Sequence, residues 1–140
     1  MDFLDYTAKS PASYRIRMRD PEEVTTIVCH QMGVGVWRED NPMFAKTRAH
    51  FVAQQSGRVI KNHDPLWRLR YGSGVINHCC ITLECAGNYE TSRGVWWKPE
   101  SMGRSKLAER PEQVASAREL VALLCERYPS ITTITGHRAI

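Results

Sequence analysis

The 140-residue sequence lacks any apolar run near the ~18–20 residues a membrane-spanning helix requires, so no membrane partner is expected. Its first fifteen residues, MDFLDYTAKSPASYR, carry two acids and no apolar core of a signal peptide. Synthesis in the cytoplasm is the expectation. No CxxC pair occurs, and the five cysteines (Cys29, Cys79, Cys80, Cys85 and Cys125) are odd in number. That argues against a disulfide framework and against a four-cysteine zinc knuckle. Four of them sit in apolar segments, where cysteine acts as a small hydrophobe. Internal repeats and low-complexity tracts are also missing. The net charge of +4 is a mild excess that favours polyanions. The one basic strand face, Arg15–Arg19, has no interleaved aromatics and no base-reading motif accompanies it, so no nucleic-acid partner is expected.

What is present is a single α/β domain. Hydrophobic content of 42% and charged content of 24% are those of an ordinary globular chain. Residues 1–23 read as a loose arm followed by an edge strand. In that strand Tyr14, Ile16 and Met18 face inward, and Arg15, Arg17 and Arg19 outward. Val24–Cys29 is β-branched and nearly all apolar, as a central strand buried on both faces would be. Pro42–Arg48 reads as a short helix with Asn41 as N-cap and Pro42 in its first turn. Ala49–Ala53 and Val59–Ile60 form a hairpin around Gln55-Ser56-Gly57. Asn62–Gly74 reads as loop. In Cys80–Cys85, Ile81, Leu83 and Cys85 share one face, while Cys80, Thr82 and Glu84 share the other. Residues 88–110 form a long polar loop with Trp96-Trp97-Lys98, a cluster suited either to stacking on sugar rings or to clamping the loop. Pro111 opens the best helix, whose stripe is Val114, Ala117, Leu120, Val121, Leu124 and Cys125. Pro129 stops it, and Ile131–Thr135 is the last strand. The expected fold is a central mixed β-sheet flanked by helices.

Two strand ends carry histidine, His30 after VTTIVC and His137 after ITTITG. Ligands in α/β folds gather at such ends. Catalytic zinc takes three protein ligands and leaves one position for water, so two neutral imidazoles are a start on such a site. Each could equally be a core histidine held by hydrogen bonds. Glu84 points from the polar face of its strand with apolar neighbours. Near a metal-bound water it could act as general base, and otherwise it is a salt-bridged structural acid. His50 reads as structural and His63 as solvent-exposed. Of His78, Cys79 and Cys80, only His78 and Cys80 could converge, and packing is the better account of them.

In this order the segments resemble the zinc-dependent N-acetylmuramoyl-L-alanine amidase family, which includes phage amidase lysozymes, anhydro-muropeptide amidases and peptidoglycan recognition proteins. The resemblance rests on IVCH, AHFVAQQSGRVI, NHCCITLECAG and ITGHRAI. It implies an amidase-like catalytic domain over residues 24–140, with Zn2+ bound by His30 and His137. It implies that Glu84 is the catalytic glutamate. The substrate would be peptidoglycan, cut at the amide joining N-acetylmuramic acid to L-alanine, and the protein would act on the cell wall as a phage or bacterial enzyme. Asn77, Trp67 and Tyr71 are candidate substrate contacts. Ala49 stands where the family often has tyrosine, Ala139 where it has aspartate, and RYGSG (Arg70–Gly74) where it has W-H-A-G. The third zinc ligand, a Cys or Asp, falls about ten residues past His137 in the family, so the sequence is expected to be a piece of a longer chain. The alternative is a catalytically defective peptidoglycan-binding module of the same fold.

Overall fold

The computed structural model describes residues 1–91 and 93–136. Its strands are β1 (Phe3–Asp5), β2 (Arg15–Met18), β3 (Thr26–Gln31), β4 (Phe51–Ala53), β5 (Val59–Lys61), β6 (Trp67–Leu69), β7 (Cys80–Cys85) and β8 (Thr133–Gly136). The single α-helix among these residues, α1, spans Pro111–Arg127. Six strands form one mixed sheet in the order β1-β5-β4-β7-β3-β8. Only the β4–β5 hairpin is antiparallel; every other adjacent pair is parallel. β2 and β6 pair antiparallel outside this sheet.

The alternation of side chains gives the sheet two different faces. Ile27 of β3, Phe51 and Ala53 of β4, Val59 of β5, and Ile81 and Leu83 of β7 form the main core with Leu120, Leu124 and Tyr128 of α1 and its C-terminal boundary. Burying each of these large side chains stabilises the fold by about 1.5–3 kcal/mol. Gln113 fastens the helix start to the sheet, since its Nε2 donates to Ala53 O at 2.8 Å and to Ala86 O at 2.9 Å. The Tyr89 hydroxyl donates to Gln113 Oε1, so this buried amide is satisfied on both sides.

On the opposite face, Val52 and Ile60 pack under Phe44. Phe44 lies in the 3-10 turn Pro42–Lys46, where the Asn41 side chain accepts from Met43 N at 2.9 Å as its cap. The rest of that face carries Val28, His30, Thr82 and Glu84, and α1 does not cover it.

Several expectations change. Residues 1–13 contain β1, which joins the sheet beside β5; three residues were too short to show a period. Trp67–Leu69, expected as loop, is β6. The inward and outward faces of Tyr14–Arg19 are reversed in part, with Ile16 and Met18 exposed and Arg19 buried. A register shift between Arg15 and Arg17 breaks the alternation. His63, expected in solvent, is fully buried, because Arg15 Nε donates to its Nδ1 at 3.2 Å and the Tyr14 ring stands edge-on at 6.2 Å. The hairpin turn, the Cys80–Cys85 strand and the helix from Pro111 lie where their sequence signals place them. The hairpin reverses through Gly57, whose φ of +89° suits glycine.

Candidate active site

The site grows from one register. In the parallel pair β3–β7, His30 stands opposite Glu84, and Val28 opposite Thr82. Register partners point to the same side, so a histidine and a glutamate from distant parts of the sequence share one face at the carboxyl ends of their strands. His30 Nδ1 and Glu84 Oε1 are 3.8 Å apart, and both side chains are largely buried, at 8% and 17% exposure. On its other side, His30 Nε2 lies 3.1 Å from Ser73 Oγ.

Glu84 is the unusual group. Burial raises its carboxyl pKa to about 7. Its Oε2 is buried without a hydrogen-bond partner among the described residues. A carboxylate in that state is a poor structural element and a good proton acceptor near neutral pH.

His50 lies on the same side of the sheet and behaves differently. Its Nδ1 accepts from Thr82 N–H at 3.0 Å, and the other ring nitrogen donates to Trp67 O at 2.8 Å. With both nitrogens committed, it is a neutral core histidine. Burial holds its pKa down to about 3.

Ser73 is buried in the loop between β6 and β7. Its backbone N–H donates to Asn77 Oδ1 at 2.5 Å, so Asn77 touches the site through Ser73. Tyr71, two residues earlier, is 71% exposed with a left-handed φ of +61°. Its ring faces the Arg48 guanidinium at 5.1 Å. Trp67 lines a separate groove with Thr7, Arg15, Lys61 and Asp64. The structure therefore brings together His30, Glu84 and, through Ser73, Asn77, and sets Trp67 apart. His137 lies outside the described residues. Gly136, the residue before it, is the register partner of Cys29. His78 is exposed and Cys80 buried, so these two do not converge.

Ser73 and Arg19 carried no sequence signal: a serine between glycines and an arginine in a basic run look like solvated residues. The donor chemistry beside Glu84 fits a divalent cation, since a strand-end imidazole faces a carboxylate with an orphaned buried oxygen. Among the described residues, no group of three His, Cys, Asp or Glu side chains converges as a metal-binding set.

An imidazole and a desolvated acid meet at the carboxyl ends of parallel strands in this α/β domain. The family model for N-acetylmuramoyl-L-alanine amidase matches residues 20–140, and the chain belongs to that family. Solved structures agree on the fold. The chain is similar to the N-acetylmuramoyl-L-alanine amidase LysC from Clostridium intestinale URNW, at 14% identity and a TM-score of 0.66, over 100% of this chain and 85% of that one. It is similar to the Ph2119 endolysin from Thermus scotoductus MAT2119 bacteriophage Ph2119, at 18% identity and a TM-score of 0.67, over 98% and 86%. It is also similar to the Drosophila peptidoglycan recognition protein SD, at 18% identity and a TM-score of 0.66, over 99% and 83%. Comparison with curated protein sequences finds no match. No described helix is long and apolar enough to cross a membrane.

Proposed function

We propose that this protein is a peptidoglycan hydrolase that cleaves the amide between N-acetylmuramic acid and L-alanine. The observation that carries the reading is the pairing of His30 with a desolvated Glu84 across β3 and β7. Glu84 is the general base. It takes a proton from the attacking water and then delivers one to the departing amine of L-alanine. Its pKa near neutrality suits both transfers. His30 and His137 would hold a zinc ion, which when bound supplies Lewis-acid polarisation of the carbonyl and a more acidic water. Asn77 keeps the loop before β7 in place, and the exposed Tyr71 on that loop, its ring met by Arg48, offers an aromatic contact to the substrate.

The test is release of free amino termini from purified peptidoglycan. The full chain releases them, a chelator stops the release, added zinc restores it, and Glu84→Ala abolishes it. Activity that survives both chelation and Glu84→Ala overturns the reading. A second reading, a binding module without turnover, is supported by the fold the chain shares with a peptidoglycan recognition protein. It predicts retention on insoluble peptidoglycan without amine release or stoichiometric zinc.

A further inference from the structure

Arg19 lies one residue before the segment that the family model matches. Its guanidinium is buried, at 4% exposure, and no carboxylate forms an ion pair with it among the described residues. Instead it donates to four backbone carbonyls. Nη2 reaches Pro65 O and Cys80 O, both at 2.7 Å. Nη1 reaches His78 O at 3.2 Å and Asn77 O at 3.3 Å. Desolvation lowers its pKa, yet an arginine stays charged at any working pH. A buried cation costs several kcal/mol unless its donors are used. Here the two Nη groups tie the end of β2 to the loop before β6, to the loop before β7 and to the first residue of β7, while Nε has no hydrogen-bond partner among the described residues.

That middle loop carries Ser73. From Arg19 the contacts run to Asn77 O, from Asn77 Oδ1 to Ser73 N, and from Ser73 Oγ to His30 Nε2. The hydroxyl also reaches the Cys80 thiol, whose pKa is raised by burial and partly drawn back by this contact. The bond to Ser73 Oγ engages His30 Nε2, while Nδ1 faces Glu84 Oε1 3.8 Å away. The tautomer of an imidazole is set by the bond its other nitrogen makes. Metal-binding histidines are held in this manner by outer partners.

We propose that Ser73 is the positioning residue of His30, holding the ring in one tautomer with Nδ1 turned toward Glu84, and that Arg19 holds the Ser73 loop in register. The N-terminal arm is thereby part of the site. The proposal rests on the reading of His30 as a functional residue, but its readout needs neither substrate nor turnover.

The experiment uses the full chain, labelled with 15N in its histidine rings and stripped of metal by chelator, and long-range proton–nitrogen correlation reads each tautomer. In the parent, His30 shows a single tautomer. Ser73→Ala converts His30 to an averaged mixture, Ser73→Thr restores the parent pattern, and Arg19→Lys shifts His30 in the direction of Ser73→Ala. His50, bonded to Thr82 and Trp67, stays unchanged in all three and reports that the fold is intact. Zinc affinity of Ser73→Ala, measured by competition with a chromophoric chelator, falls about 10–100-fold. The proposal is overturned if His30 already averages between its tautomers in the parent, or if Ser73→Ala leaves its pattern unaltered. It is overturned too if His50 changes in step with His30, which marks general loosening. Failure of the hydrolase reading appears separately, as absence of amine release from an otherwise parent-like His30 spectrum.

Discussion

The two faces of the sheet are built to opposite rules. The face under α1 is dry and apolar, with Ile27, Ile81 and Leu83 meeting Leu120 and Leu124. Its one buried polar group of note, Gln113, has every hydrogen bond it can use there. The other face holds two histidines, a threonine and a glutamate, and leaves Glu84 Oε2 buried and unpaired. Stability is concentrated on the first face. The second carries a cost that the first offsets, and such unrepaid costs gather at functional sites. Even within the second face the division repeats. His50 is sealed by two bonds and neutral, while His30 faces Glu84 across the β3–β7 pair.

Substitutions on the two faces separate these roles. The largest effect is expected at Glu84. Glu84→Gln keeps the shape and removes the base, so amine release falls by about 10²–10⁴-fold. Chemical denaturation of the same variant gives a stability equal to or above the parent, because a desolvated carboxyl is gone. A variant that loses stability instead would place Glu84 among the structural acids. Next is Leu124→Ala on the other face, which leaves a cavity under α1 and costs about 2–5 kcal/mol in urea unfolding. Its turnover per folded molecule stays at the parent level. A large fall in that turnover at a temperature where the variant is folded would break the separation of the faces.

The sequence carried the parts of this arrangement that depend on local chemistry. Alternation in CITLEC placed Glu84 opposite Leu83 in orientation, and the β-branched run before His30 marked a central strand. Proline at both ends framed α1. Pairing was not local. That His30 meets Glu84 depends on the β3–β7 register, which no spacing in the chain expresses. Arg19 shows the limit well. In sequence it continues the basic face of Arg15 and Arg17, and only the register shift after Arg15 turns it inward onto four carbonyls. His63 looked polar and exposed because its neighbours Asn62 and Asp64 are polar. It is buried because Arg15 comes from 48 residues away to cover it.

The smallest expected effect concerns acid and tests whether His50 belongs to the structural half of its face. Protonating its ring would set a second N–H against Thr82 N–H and place a charge in a sealed space that also holds Arg19 and His63. Burial is the main reason its pKa falls to about 3, with those two charges adding to it. A histidine whose folded pKa lies below its unfolded value of about 6.5 binds its proton more readily in the unfolded chain. Its contribution to stability is therefore complete above that value and is lost as pH falls toward the folded pKa. Between pH 7 and pH 5 the loss from His50 is about 2 kcal/mol. His63, depressed to about 4 by burial and by Arg15, adds a loss of the same sign. Urea midpoints measured across this range fall on acidification. In the folded protein the ring nitrogens of His50 keep their neutral pattern throughout. If His50 titrates near pH 6 while the fold persists, it is not sealed, and the contrast between the two histidines loses its basis.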